Sequence, residues 1–187
     1  MWVGTRRAMA MMALLMGSAG STATPGSFAY SIDPAQARVQ AKVGFFGLGS
    51  KTAHFPRLEG RVALSDRDAK AVTLDVRIDA QALEAGDSLT RSRLRGPDFF
   101  DVERYPRVTF HGSTMTRTGP HSAQVTGTIT ARGVARPVIA VKSREKSTAS
   151  AATTRIDRRD FGMTAYPLIV GRQVTIAIDA DLLPVGG

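Results

Sequence analysis

The chain has 187 residues and contains no cysteine, which excludes disulfide bridges and a cysteine that carries a lipid anchor. Lys and Arg number 25 against 16 Asp and Glu, so the formal net charge is +9. Most of this excess is arginine scattered along polar strand faces, which is ordinary solvated surface. A chain of this length is sufficient for one domain with a hydrophobic core.

Residues 1–23 have the pattern of a secretory signal peptide, with two adjacent arginines, an apolar run and then small residues. The apolar run, residues 8–16, is much shorter than the roughly 20 residues that a membrane-spanning helix needs. We expect cleavage after Ala23, a mature domain of residues 24–187, and a soluble protein in a periplasm. Nucleic acid is not an expected partner there. The basic surface is expected to make at most peripheral contact with anionic membranes.

Alternation of apolar and polar residues dominates the mature chain and predicts β-strands with one buried face. The clearest strands are residues 38–45, 72–79, 124–131 and 174–182. Weaker strand patterns cover residues 28–33, 58–65, 107–116, 134–142 and 152–159. Turn signals separate them at residues 47–49, 118–120, 132–133 and 171, and residues 143–152 form a polar hairpin region. Strands with one apolar face must close on each other, so we predict an all-β antiparallel barrel or sandwich.

One segment, residues 80–106, interrupts the strand pattern. Asp87 or Ser88 can cap a short helix that runs to about Arg95, and Gly96 followed by a proline ends it. Two adjacent aromatic residues come next in the sequence. We interpret this segment as a helical flap over one mouth of the barrel.

The sequence shows no recognisable catalytic or metal-binding pattern. The three histidines, His54, His111 and His121, are far apart and have no metal-ligand spacing. His111 shares a strand face with Thr109 and Ser113, so we expect it to point to solvent. Neither a nucleophile elbow nor a phosphate-binding glycine loop is present, although a Ser–His–Asp triad has no fixed order and stays open. We therefore expect no catalytic residues, no metal and no enzymatic activity.

The apolar inventory is the remaining functional signal. Phe45 and Phe110 lie on predicted inward faces, and Phe99, Phe100 and Tyr105 lie in or next to the flap. A barrel of about eight strands is either just filled by its side chains or wide enough for one small ligand. The sequence leaves both interiors open.

Four segments together resemble the YceI family across nearly the whole mature chain. They read YSIDPAQARVQAKV (30–43), GPDFFDVERYPRVTF (96–110), VTGTITARGVARPV (125–138) and RIDRRDFGMTAYPLIVGRQVTIAIDADL (155–182). This resemblance implies a lipocalin-like antiparallel β-barrel with a short helical flap and a periplasmic location. It also implies an elongated apolar pocket for a polyisoprenoid, quinone-like or fatty chain.

Our first hypothesis is a periplasmic carrier that holds such a long-chain molecule inside the barrel and has no other cofactor. We expect two arginines one helical turn apart, Arg91 and Arg95, to meet a polar or anionic head group. Five phenylalanines would line or close the cavity: Phe45, Phe99, Phe100, Phe110 and Phe161.

Three other hypotheses stand beside it. A barrel filled by its own side chains could act through its surface as a stress-protective or partner-binding module, and a homodimer stays open. A membrane-embedded barrel fits poorly, because the outward strand residues are Asp, Arg and Thr rather than apolar. An enzyme that isomerises or hydrolyses an isoprenoid lacks a supporting set of residues.

Overall fold

The structure is a computed structural model that describes residues 27–46, 49–65, 68, 70–144 and 149–185. The predicted signal peptide, residues 1–23, lies outside this described part. So do Gly47 and Leu48 of the first predicted turn and residues 145–148 of the predicted polar hairpin.

The described part contains strands β1 to β11 and the helix α1. Their bounds are β1 (Ser27–Ile32), β2 (Arg38–Phe45), β3 (Gly49–Phe55), β4 (Leu58–Ser65), β5 (Ala71–Asp79), β6 (Glu84–Ala85), α1 (Ser88–Arg95), β7 (Arg107–Arg117), β8 (Ser122–Ala131), β9 (Val134–Arg144), β10 (Ala149–Asp157) and β11 (Val170–Pro184). Single turns of 3-10 helix follow β5 and β10.

The strands form a closed antiparallel barrel of eight strands, as the resemblance implied. Its order is β1, β4, β5, β7, β8, β9, β10 and β11, and β11 pairs back with β1 to close it. Strand β2 also pairs with β11, and β3 pairs with β2, so these two strands prolong β1 and β4 beyond short interruptions. This meander gives the barrel two different ends.

We call these two ends the flap end and the hairpin end. The flap end carries the β2–β3 connection, the long segment 80–106 with α1, the β8–β9 turn and the β10–β11 connection. The hairpin end carries the connections β4–β5, β7–β8 and β9–β10. The predicted flap over one mouth of the barrel is therefore confirmed by the position of α1.

The predicted inward faces are confirmed where alternation is strongest. In β5, Val72, Val76 and Ile78 are buried, and the intervening Asp75 and Arg77 are exposed. All the inward positions of β8, from Ala123 to Ala131, are buried, because side chains at every second residue point to the same face. Alternation alone therefore located the core residues that these two strands contribute.

Residues that act locally also predict helix α1 and the β8–β9 turn correctly. Asp87 caps α1 by accepting hydrogen bonds from the backbone N–H and the hydroxyl of Thr90, each at 2.7 Å. These hydrogen bonds lower the pKa of the Asp87 carboxyl below its ordinary value. Arg132 and Gly133 form the β8–β9 turn with φ of 51° and 73°, the left-handed conformation of a tight type I′ hairpin.

Two strand assignments differ from the sequence prediction. Strand β3 was not predicted, because it begins Gly-Ser-Lys-Thr and only Ala53 and Phe55 are buried. The predicted turn at Gly171 is wrong, since this residue lies inside β11. A Cβ on Gly171 would lie 3.1 Å from the carbonyl oxygen of Gly44 on β2, so glycine allows the two strands to approach closely there.

Candidate functional site

The barrel encloses an apolar cavity of about 170 Å³. Its wall is made almost wholly of aliphatic and aromatic side chains from β1 to β5, the flap segment and β7 to β11. Such a cavity favours an apolar occupant, because water inside it would have few polar partners. The open interior disfavours the alternative of a barrel that its own side chains fill.

The two sides of the barrel differ in how tightly they pack. On β4, β5, β7 and β8, which we call the packed wall, most inward residues are buried, such as Val62, Val76 and Val125. On β9, β10, β11 and β2, which we call the open wall, most inward residues are only half-buried, such as Ile156 and Ile176. Both walls line the cavity, and the side chains of the open wall pack less tightly around it.

Strand pairing explains why the open wall is loose. Strands β9 and β10 pair only near the hairpin end, where Val141 meets Thr153 and Arg144 meets Ser150. Closer to the flap end, the hydroxyl of Thr154 donates to the carbonyl of Ile139 at 2.9 Å. Among the described residues, the backbone pairing of β9 with β10 ends there. The two strands therefore separate toward the flap end.

The cavity is long in the direction of the strands. Alternate residues of β11 line it from Val174 to Leu182, which is about 27 Å of strand at roughly 3.3–3.4 Å per residue. With a strand tilt of roughly 35–45°, this corresponds to about 20 Å along the barrel axis. A long cavity of this small volume fits a single linear chain better than a compact ring system.

Arg158 provides a buried charge at the flap end of the cavity. It lines the cavity and is only 3% exposed. Its guanidinium donates to the carbonyls of Gly171 and Val170, each at 2.9 Å, and to the carbonyl of Met163. Burial lowers the pKa of this guanidinium, although it stays within the range of a permanent cation.

These hydrogen bonds give Arg158 a structural role. One carbonyl of the β10–β11 connection, that of Met163, and the first two carbonyls of β11 converge on its side chain. Their partial negative charges compensate for the desolvation of the cation. Arg158 therefore fixes the path of residues 163–171 and places positive charge at the end of a largely apolar cavity.

Buried aromatic and aliphatic residues close the flap end. Phe99 and Phe161 are buried beside Arg158, and the ring of Phe99 lies 6.0 Å from the Arg158 guanidinium carbon. Phe100 packs edge-on against Phe55, with 5.4 Å between the ring centroids. Phe99 and Phe100 of the flap segment, together with Phe161, therefore form a packed lid on this end of the barrel.

The structure separates the predicted site residues into three groups. Phe100 and Phe110 lie in the cavity wall. Phe99 and Phe161 lie outside the lining and belong to the packed lid. Phe45 lies beyond the end of the cavity, in a surface groove at the flap end, with the Lys51 ammonium 5.9 Å from its ring.

The two predicted head-group arginines do not reach the cavity. Arg91 and Arg95 are exposed and line a groove on the outer side of α1, together with Asp101 and Glu103. Two other cationic residues line the cavity, Lys142 on β9 and Arg158, and the sequence prediction missed both. The position of Arg158 was visible in the alternation of β10, because Arg158 continues the inward series through Thr154 and Ile156.

The described residues contain no group of three His, Asp or Glu side chains that could hold a metal ion. His111 faces solvent, as predicted, and its Nδ1 lies 2.6 Å from a carboxylate oxygen of Asp75. No helix in the part of the chain described is long and apolar enough to cross a membrane.

Comparisons with known proteins agree with this architecture. A UPF0312 protein from Ectopseudomonas mendocina is 25% identical over 132 residues, which is 70% of this chain and 69% of that protein. The structure of BcnA from Burkholderia cenocepacia superposes with a TM-score of 0.72 at 22% identity, covering 81% of this chain and 99% of BcnA.

A second structural neighbour is a polyisoprenoid binding domain from Saccharophagus degradans, with a TM-score of 0.66 at 16% identity over 84% of this chain and 99% of that domain. At these identities the structural neighbours establish the barrel fold. The sequence pattern of the YceI-like domain matches residues 30–182, which is most of the chain. The chain therefore belongs to the YceI-like family.

Proposed function

We propose that this protein is a periplasmic carrier that binds one long apolar chain, of polyisoprenoid, quinone-like or fatty type, inside the barrel. The observation that carries this proposal is the elongated apolar cavity between the two walls of the barrel. The structural neighbour described as a polyisoprenoid binding domain supports the same class of ligand. The signal-like residues 1–23 support export.

Burial of the chain would supply the affinity. Each buried CH₂ group contributes roughly 0.8 kcal/mol, so about ten of them contribute on the order of 8 kcal/mol. That free energy corresponds to a Kd of about 1 μM before the cost of ordering the chain is subtracted. Half-buried residues on the open wall, such as Ile176 and Ile178, would gain contacts with the ligand.

We assign the protein no catalytic step. The polar side chains in the cavity wall are Thr109, Lys142, Ser150, Thr154 and Arg158. Neither a histidine nor a carboxylate is among them. We expect binding and release of an unchanged ligand.

A cavity-filling variant tests the proposal. Ala152 lines the cavity on β10, and its neighbour Thr153 faces solvent on the same strand. We expect Ala152→Phe to occupy the ligand's space and Thr153→Phe to leave it free. Protein purified from the periplasm of its own host would be examined by native mass spectrometry, with circular dichroism to confirm folding.

The expected result is a lipid-sized mass adduct on the wild type and on Thr153→Phe that is lost in Ala152→Phe. A wild-type protein that is consistently free of ligand, and that takes up neither isoprenoid quinones nor long-chain lipids, would contradict the proposal. A lipid retained equally by Ala152→Phe would also contradict it, because the ligand would then lie outside the cavity.

A further inference from the structure

Two neighbouring connections at the flap end expose large apolar side chains. Phe46 follows β2 and is 83% exposed, and Leu168 precedes β11 and is 86% exposed. Tyr166 and Ile169 are exposed beside them. The backbone N–H of Phe46 donates to the carbonyl of Ile169 at 2.8 Å, which holds the two connections together. We call these four residues the apolar tip.

The apolar tip is unusual for a surface in water. Isolated exposed apolar residues are common on soluble proteins, but adjacent large ones that protrude from connections mark an interaction site. The tip also has firm support from the fold. The ring of Tyr166 stacks on the ring of Phe99 with centroids 6.1 Å apart, and the carbonyl of Tyr166 accepts hydrogen bonds from the N–H groups of Ile169 and Val170.

Cationic side chains surround the tip. Arg172 lines the same surface groove as Phe46 and Leu168. The guanidinium carbon of Arg93 lies 5.6 Å from the ring of Tyr166. Helix α1, which carries Arg93, reads SLTRSRLR and contains three arginines and no acidic residue. Protruding apolar side chains next to cations are the chemistry that recognises an anionic lipid surface.

We propose that the flap end is a docking surface for a bilayer that contains anionic phospholipids. The apolar tip enters the interface between head groups and acyl chains, and Arg93 and Arg172 meet the phosphates. This inference goes beyond the proposed carrier function, since the docking surface lies on the outside of the barrel and does not depend on what the cavity holds.

The apolar side chains and the cations are expected to contribute different amounts to membrane binding. Transfer of one large aliphatic side chain from water into the interface changes binding by about ten-fold. Each cation near an anionic surface changes it by about five-fold at physiological ionic strength, and this contribution falls as salt is added.

A single-tryptophan reporter tests the insertion directly. The only tryptophan of the sequence is Trp2, inside the predicted signal peptide, so the mature chain has none. Leu168→Trp puts a reporter at the tip, and Ile139→Trp puts one at a 55% exposed position on β9, away from it. With vesicles of phosphatidylcholine and phosphatidylglycerol, we expect a blue shift and quenching by brominated acyl chains for Leu168→Trp alone.

Vesicle flotation of otherwise unlabelled protein measures the affinity. We expect Leu168→Ser to weaken binding to anionic vesicles about ten-fold and Arg93→Gln or Arg172→Gln to weaken it about five-fold. Ile139→Ser, which also removes an exposed apolar side chain, should bind like the wild type. Vesicles of phosphatidylcholine alone should bind much less protein.

Three results would overturn the docking surface: no binding to anionic vesicles at low salt, equal binding by Leu168→Ser and the wild type, or equal binding to neutral vesicles. A wild-type dimer in solution that Leu168→Ser converts to a monomer would also overturn it, since a second copy would then cover the tip. Native mass spectrometry of Leu168→Ser separates this surface from the carrier function, because its lipid adduct should be unchanged.

Discussion

The packed wall and the open wall belong to the same closed barrel but have different tasks. On the packed wall, inward side chains such as Val72, Val76 and Val125 are buried, although they also line the cavity. On the open wall, most of the equivalent inward residues are only half-buried, and the β9–β10 ladder covers four residue pairs among the described residues. The packed wall therefore supplies more of the stability of a barrel that holds a cavity between its two walls.

A matched pair of leucine truncations should give the largest contrast. Leu58 on β4 is buried outside the cavity lining, whereas Leu182 on β11 is half-buried and lines the cavity. We expect Leu58→Ala to lower the free energy of unfolding by about 3 kcal/mol, because it leaves a new void among packed atoms. Leu182→Ala should cost about 1 kcal/mol, because its side chain already borders a void.

Urea unfolding followed by circular dichroism would measure both variants. The linear dependence on denaturant gives each free energy of unfolding, and an unchanged slope would show that the same surface is exposed. Equal losses for the two leucines would show that the open wall is packed as tightly as the other side in solution. The contrast between the walls would then fail.

The two walls also show what the sequence could predict. Alternation identified the inward faces of β5, β8 and β11 because a strand turns every second side chain to the same side. Alternation does not indicate how far along the barrel axis a residue lies. Phe45 is on the inward face of β2, as predicted, but β2 extends past the cavity, so its ring lies in a surface groove.

Long-range contacts account for the other differences. The cap and the end of α1 follow from Asp87 and Gly96, which act within a few residues. The direction in which Arg91 and Arg95 point depends on how the whole helix docks on the barrel, and local sequence does not contain that information. Strand β3 was missed for a related reason, since its pairing with β2 compensates for its polar composition.

Substitution of Arg158 should have the next largest effect on stability. Its hydrogen bonds, rather than apolar packing between strands, hold the flap end of the open wall. Arg158→Met keeps a long side chain but leaves the carbonyls of Met163, Val170 and Gly171 without their buried donor. Unsatisfied buried carbonyls cost about 1–3 kcal/mol each, and the relief of burying a charge offsets part of that. We expect Arg158→Met to lower the free energy of unfolding by about 2 kcal/mol.

Hydrogen exchange followed by mass spectrometry would locate the effect of Arg158→Met. Amides of residues 162–171 should exchange faster, and amides of β8 on the packed wall should keep their protection at low denaturant. Arg158→Lys should not restore the wild-type rates, because an ammonium lacks the planar fork that reaches several carbonyls. Uniform loss of protection over both walls would contradict an anchor that acts locally.

The smallest effect concerns an ion pair that follows β10 on the open wall. Asp157 accepts hydrogen bonds from the guanidinium and the backbone N–H of Arg159, with a shortest oxygen–nitrogen distance of 2.6 Å. These bonds lower the pKa of Asp157 from 3.8 to about 2. A carboxyl whose pKa is lower in the folded state stabilises the fold above its unfolded pKa, and this stability is lost as the pH falls toward 2.

Asp157→Asn removes the charge but keeps a side chain that can cap the following 3-10 turn. Since the pair is partly exposed, we expect the variant to lose less than about 1 kcal/mol at pH 7. The difference in free energy of unfolding between wild type and variant should stay constant above about pH 5 and shrink as the pH falls through the interval from 3.8 to about 2. A difference that is independent of pH would assign the effect of Asp157 to capping of the 3-10 turn rather than to its charge.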